Sequence, residues 1–533
     1  MRFAVLSDTH YVSREMIPGD KDETSLLRHK VNKAVFQKLA AQTELDTILI
    51  TGDLVDNGDL VSHREFAEIL RSVQAAGKRV FVLTATHDFH FSRAFTIKRS
   101  WPVRYRDYPW ERPWFDPDKC DYKALVQDAS RDLPEADSAP PLMRAATPDD
   151  LWEIYHDFGP AQAFSACDSA YSYAVKLDEK LWCLMLNNNM RDVDALHDFS
   201  PAYSPACYRW IEDVMRQAKA ESAFVFACTH HPLVPPVPAY KIGGTTRNMR
   251  TSRVCHTLAD LGLTLVFSGH THFADVAFCS SDAGNVLCNV TTPALAFLPP
   301  AWRTAEIIPA EHRLITATVP VENEPSFGVD APTLKAHYAD EFVEQYRKKV
   351  EKLPHGLNKI VPRLEVRHLY PLCPRSLTKA QYAQIKNKKM FDLVMELAIN
   401  MQCGDGQYTP DTAVYRFMMG LAAAADSVID AQPFVDLRKK LLGYSIREIV
   451  EPMLFNNYVP DNEADFVFDR LPAQNVPVPA FSSHAGDILM RLLCALGLLI
   501  APAGKILTAA ALPALTLFKK KRLRDKPYAP ERY

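Results

Sequence analysis

Five short motifs in the first half of the chain combine residue types that bind cations: Asp8-Thr9-His10, Gly52-Asp53, His87-Asp88, His230-His231-Pro232 and Gly269-His270-Thr271-His272. Carboxylate and imidazole are the ligands that hard and borderline metal ions take. In an extended segment side chains repeat every second residue, so Asp8 and His10 would share a face, as would His270 and His272. Each pair could grip one cation. Asp53, with two carboxylate oxygens, could bridge two cations, and His230 completes the set. A lone histidine at a strand end is usually structural. An ordered string of such pairs points instead to a site for two metal ions.

Each motif follows a run of apolar residues, and strand ends are where a fold can converge residues distant in sequence. Residues 3–7, 47–51 and 79–84 read as strands. Helical spacing covers 26–40 and 61–76, and Gly77 suits the stop of the second helix. This alternation predicts a sheet covered by helices. Strands at 180–186, 223–228 and 263–267 follow, the last two leading into His230 and into Gly269-His270. Strand-like pieces at 304–308 and 313–319 close a first domain over 1–325. Within it, the Pro-rich, aromatic stretch 98–148 is an insertion, either packed on the core or folded over the cleft as a lid. The region 326–470 turns helical. Asp330-Ala331-Pro332 has the chemistry of a helix start, 338–353 continues that helix, and further helices are expected at 378–401, 412–426 and 435–442.

At 533 residues the chain is too long for one ordinary core. Its 61 Lys plus Arg against 64 Asp plus Glu give no electrostatic case for a nucleic-acid polymer as partner. The 11 cysteines form no CxxC pair or regular framework, and Met1-Arg2 leads straight into a strand without a signal peptide. Both features lead to a cytoplasmic location. After a proline-rich linker at 471–487, the tail 488–533 is apolar and then basic, with Lys519-Lys520-Lys521-Arg522. Its apolar part is broken at Pro502-Ala503-Gly504-Lys505, so neither half reaches the roughly 20 residues of a spanning helix. Either 488–524 contacts the inner leaflet peripherally, or the tail packs on the helical domain. No motif specifies an oligomeric state.

The motif order resembles that of the calcineurin-like metallophosphoesterase superfamily, which runs DxH, GD, GNH(D/E), H and GHxH. Within it, Gly52-Asp53-Leu54-Val55-Asp56-Asn57-Gly58-Asp59, Ser62-His63, Tyr155-His156-Asp157-Phe158-Gly159 and Leu181-Trp182-Cys183-Leu184-Met185-Leu186 are similar to bacterial class III cyclic-nucleotide phosphodiesterase-like proteins with a helical C-terminal domain. The likeness covers roughly residues 1–320. It implies an α/β (α+β) fold, a two-sheet sandwich flanked by helices and followed by a smaller helical domain.

The resemblance also implies a first metal held by Asp8, His10, Asp53 and His272. A second would be held by Asp53, His230 and His270 together with the asparagine of GNH, and the metals would be divalent or trivalent Mn, Fe or Zn. In this chain the GNH motif reads Ala85-Thr86-His87-Asp88, so Thr86 stands where the asparagine would be. Thr86 is a candidate metal or water contact and a weaker ligand, which would loosen the second metal. His87 would contact the phosphate or protonate the leaving oxygen, with Asp88 orienting it. Arg247 and Arg250 are candidate substrate contacts. His231 is expected beside the site without binding metal, and His63 and His197 as surface or structural residues.

The activity implied is hydrolysis of a phosphate ester, foremost a phosphodiester, by a hydroxide bridging two metals about 3.5–4 Å apart. The apolar tail opens a second reading, a membrane-associated hydrolase of a phospholipid or lipid-linked pyrophosphate. Thr86 opens a third, a metal-binding scaffold with weakened turnover.

Overall fold

The structure is a computed structural model that describes residues 1–17, 22–89, 146, 148–188, 203, 205–237, 252–404, 408–429, 441, 443–456 and 459–473. The insertion 98–148 apart from Ala146 and Pro148, the loop carrying Arg247 and Arg250, His197, most of the expected helix 435–442 and the tail 488–533 lie outside the described residues.

Strands β1 (Arg2–Leu6), β2 (Thr47–Ile50) and β3 (Arg79–Val82) alternate with helices α1 (Glu23–Ala41) and α2 (Leu60–Ala75). Then come β4 (Ser165–Cys167), β5 (Ser172–Lys176), β6 (Leu181–Leu186), β7 (Phe224–Thr229), β8 (Leu265–Ser268), β9 (Asp275–Ser280) and β10 (Val286–Thr291). The last are β11 (Ala301–Ile308), β12 (Arg313–Pro320) and β13 (Glu463–Val467). Among the described residues these strands form two mixed sheets, ordered β13-β12-β11-β1-β2-β3 and β4-β5-β6-β7-β8-β10-β9.

The two sheets pack face to face, as a sandwich should when alternate residues of each strand are apolar. Phe3, Val5, Leu49 and Phe81 from one sheet meet Cys183, Met185, Phe226 and Phe267 from the other. The opposite face of the first sheet, with Leu6, Ile48 and Ile50, is covered by Leu27, Val31, Val35, Phe66 and Leu70 of α1 and α2. Trp182, Leu184 and Ala227 on the outer face of the second sheet are covered by Ile211, Val214 and Leu258. Strands apolar on both faces are what a helix-covered sandwich requires.

Local chemistry sets where the helices start. Asp22 caps α1 by accepting from Ser25 N at 3.0 Å, and Asp59 caps α2 by accepting from Ser62 N at 2.7 Å. Beyond β12 three expectations need correction. The helix expected from Asp330 begins at Leu334, because Thr333 is extended and caps Ala336 N at 3.1 Å. The helix expected over 378–401 is two, Lys379–Ile385 and Met390–Gln402. The carbonyls of Lys386 and Lys388 accept from Arg367 N and Val366 N, each at 3.0 Å, and that pairing turns the chain between them. Finally, β13 is a strand within the stretch expected to be helical, and it pairs antiparallel with β12. Among the described residues, no helix is long and apolar enough to cross a membrane.

Candidate metal centre

Strands β1, β2 and β3 are mutually parallel, and so are β7 and β8, so all five motifs leave the carboxyl ends of their strands. Backbone hydrogen bonds lock the emerging loops in pairs. Asp8 N donates to Gly52 O at 3.0 Å, His10 N to Asp53 O at 3.0 Å and Gly269 N to His230 O at 2.9 Å. The loops are not extended, which corrects the expected basis for pairing Asp8 with His10 and His270 with His272. Asp8, His10, Asp53, His270 and His272 adopt φ of 50°, 43°, 51°, 66° and 62°. Residues with a Cβ rarely adopt this left-handed region, and such strain concentrates at functional sites. A glycine is needed at 269, where a Cβ would run into Ser7 Oγ and Asp8 Oδ2.

These turns bring Asp8, His10, Asp53, His230, His270 and His272 together. Among the described residues, four overlapping groups each have ligand-capable atoms mutually within 4.8 Å: Asp8, His10 and His272; Asp8, Asp53 and His230; His10, Asp53 and His87; and His230, His231 and His270. His272 Nε2 lies 3.2 Å from Asp8 Oδ1, and His230 Nε2 lies 3.1 Å from Asp53 Oδ2. His10 Nε2 and His272 Nε2 are 3.3 Å apart.

The other ring nitrogens show which atoms carry lone pairs. His230 Nδ1 donates to Thr51 O at 3.0 Å and His87 Nδ1 to Asp56 O at 2.8 Å, since a carbonyl only accepts. His10 Nδ1 meets Asp56 Oδ1 at 3.1 Å in the same manner. With Nδ1 so engaged, each neutral ring presents an Nε2 lone pair, as in metal-binding histidines held by an outer acceptor. Two buried atoms of the set, Asp8 Oδ1 and His230 Nε2, make no well-formed hydrogen bond, and their near neighbours are other ligand-type atoms, His272 Nε2 and Asp53 Oδ2. A buried acceptor without a donor is costly, and a cation is the partner that both can share. The donor set therefore suits a binuclear metal site.

The electrostatics agree with this reading. Burial works against the Asp8 and Asp53 carboxylates, yet His272 and His10 around Asp8, and His230 and His87 around Asp53, hold both well below the usual range. Burial likewise opposes charge on His10 and His230, but Asp56 and Asp8 around the first, and Asp53 around the second, push each to about 9. The same lone pairs that attract a proton attract a metal ion, and the two compete. His270, buried and facing His230, is pushed down to about 3, and burial with His270 holds His231 well below the ordinary value.

Thr86 opens a short 3-10 turn, Thr86–Phe89, whose His87 N donates to Asp53 Oδ1 at 2.9 Å. Asp88 does not orient His87 as expected. Its two oxygens accept from Val55 N at 3.0 Å and Ala85 N at 2.6 Å, so it braces two loops. Burial and the charge of Asp53 raise its carboxyl to about 8. His63 is fully buried, between Tyr155 Oη at 2.8 Å and Asp88 O at 2.7 Å, which is a structural placement. Sequence reasoning missed Asp56 and Arg28 as parts of the site. The available signal for Asp56 was its position three residues after Asp53, in the Gly52–Asp59 stretch. Arg28, one of several basic residues along α1, gave none.

No curated protein matches the chain. Among solved structures, a dimetal phosphatase from Danio rerio aligns at 12% identity over 60% of this chain and 96% of its own, with a TM-score of 0.33. A purple acid phosphatase from yellow lupin seeds aligns at 11% identity over 60% of this chain and 51% of its own, with a TM-score of 0.34. An NAD nucleotidase from Haemophilus influenzae aligns at 8% identity over 69% and 62%, with a TM-score of 0.27. Residues 1–274, just over half of the chain and containing every motif of the site, match the calcineurin-like phosphoesterase family, and the chain belongs to that family.

Proposed function

We propose that the chain hydrolyses phosphodiesters, with cyclic nucleotides the first substrates to test, at a centre for two metal ions of the Mn, Fe or Zn kind. The observation that carries this reading is the convergence of Asp8 Oδ1 and His230 Nε2, both buried without a well-formed hydrogen bond, among imidazoles whose Nδ1 atoms are engaged. Asp8, His10, Asp53 and His272 would hold the first metal, and Asp53, His230 and His270 the second. When bound, two such cations polarise a phosphoryl group and lower the pKa of water, which supplies a nucleophile near neutral pH.

The protein's own residues set the rest. His87, fixed through Nδ1 on Asp56 O, has its ring centroid 4.5 Å from that of His10, and in its protonated form, with a proton on Nε2, it can donate that proton to the departing alkoxide. Arg28 lies beside the cluster, 4.2 Å over the Phe297 ring, but its charge is matched by Asp56 at 2.9 Å. Phe297 itself packs edge-on against His10 and at a tilt against His272, with centroids 4.8 Å and 4.6 Å away. A wall of one aromatic ring and a neutralised guanidinium suits the single charge of a diester better than the double charge of a monoester.

Turnover of bis-p-nitrophenyl phosphate against p-nitrophenyl phosphate, with added Mn²⁺, tests the reading in the full-length protein. Metal-stimulated cleavage that favours the diester is expected. Hydrolysis of neither ester by a protein with measured bound metal would sink it.

A further inference from the structure

Three ligands, Asp53, His230 and His270, is a thin set for the second metal of the proposed centre. Thr86 occupies the position from which a fourth would come. A threonine hydroxyl is a weaker donor to Mn, Fe or Zn than an imidazole nitrogen.

We infer that His231 is a ligand of the second metal and completes the coordination that Thr86 leaves weak. This rests on the two-metal reading and extends it to a residue expected to stand aside. His231, His230 and His270 have ligand-capable nitrogens mutually within 4.8 Å. Three imidazoles on one cation, with bonds of about 2.1 Å, sit roughly 3–3.5 Å apart, so small ring rotations close the set. The ring of His231 is packed for this, with its centroid 3.9 Å from that of His270 and 4.9 Å from that of His230.

Its outer partner supports the same role. Asn188 Oδ1 lies 3.3 Å from His231 Nδ1, and Asn188 Nδ2 donates to His231 O at 3.3 Å. Both residues are buried. The amide thus holds the ring from two directions and leaves Nε2 for a metal. That is the arrangement of His230 on Thr51 O and of His10 on Asp56. Stacking alone would explain a buried ring, but not an amide engaged on both the Nδ1 and the carbonyl of one histidine. A second site with three imidazoles selects nitrogen-seeking metals such as Zn or Fe and discriminates against Mg or Ca.

Titration of the full-length, chelator-stripped protein with Mn²⁺ or Zn²⁺ tests this, together with the crystal structure of the loaded protein and its anomalous map. Two metal peaks are expected, the second within bonding distance of His231 Nε2. His231→Gln should weaken the second binding event about tenfold or more and spare the first. Thr86→Asn placed in that variant should restore it. A second peak with His231 turned away, or unchanged affinity in His231→Gln, overturns the inference and leaves the two-metal reading standing. Wild-type protein that takes up no metal overturns both. Far-UV circular dichroism and melting establish that each variant is folded; if His231→Gln is not, the loaded wild-type structure decides.

Discussion

Asp56 joins His10 to Arg28: Oδ1 lies 3.1 Å from His10 Nδ1, and Oδ2 lies 2.9 Å from Arg28 Nη1. Burial disfavours the Asp56 charge, but Arg28 and then His10 hold the carboxyl well below the usual carboxylate range. A carboxylate behind an imidazole fixes its tautomer and strengthens the opposite nitrogen as a ligand. Asp56→Asn keeps the shape and removes the charge. It should weaken the first metal about 10–100-fold while the second changes less. Competition with a graded series of chelators reads the two affinities separately, and equal losses at both would contradict the link.

Asp88 bridges the loop after β2 to the loop after β3 through Val55 N and Ala85 N. Asp88→Ala leaves two buried amides without an acceptor, at about 1–3 kcal/mol each. The melting temperature should fall by several degrees, and Asp88→Asn, which retains one acceptor, should fall by less. The shape of the pH–rate profile should be unchanged in both variants. A shifted profile with an unchanged melting temperature would instead place Asp88 in the chemistry.

The strands and the ligand types were legible because each motif follows an apolar run, and β1, β2, β3, β7 and β8 appear within one or two residues of expectation. The convergence of Asp8 with His10 was legible for the wrong reason. Alternation along a strand would pair them, whereas the chain turns into the left-handed region at both positions, and the enrichment of Asp and His there is too weak to read from sequence. Arg28 was hidden because its role depends on Asp56 and Phe297, residues that only the folded sheet brings to α1. The pairing of β13 with β12 was hidden for the same reason: a five-residue strand after a run of helices carries little signal of its own.

Gly52 holds the turn between β2 and Asp53 at φ 107°. A Cβ there would lie 2.6 Å from Ala85 Cβ and 2.9 Å from His230 Nδ1, the atom that must stay on Thr51 O. Gly52→Ala should therefore displace His230 and weaken the second metal more than the first. Overpacking and backbone strain together should cost about 1–3 kcal/mol of stability. Metal titration and thermal melting check both halves, and retention of the second metal at full affinity would refute the assigned crowding.

His63 makes stability fall toward acid. Its Nε2–H donates to Asp88 O, and its Nδ1 lies 2.8 Å from Tyr155 Oη, so the neutral ring is fully satisfied. Burial is the leading cause that lowers its pKa from 6.5 to about 4, while the Asp88 carbonyl and Asp150 pull the other way. Because the folded value lies below the unfolded one, the unfolded chain takes up the proton first as pH drops. The contribution is fully present above about 6.5 and is lost progressively as pH falls toward 4. Its full size is on the order of 3 kcal/mol. In His63→Gln the melting temperature at neutral pH should be lower, but its decline between about pH 7 and pH 4.5 should be shallower than in the wild type. Melting curves across that range decide the matter, since an identical slope in the two proteins would assign the acid sensitivity to other groups.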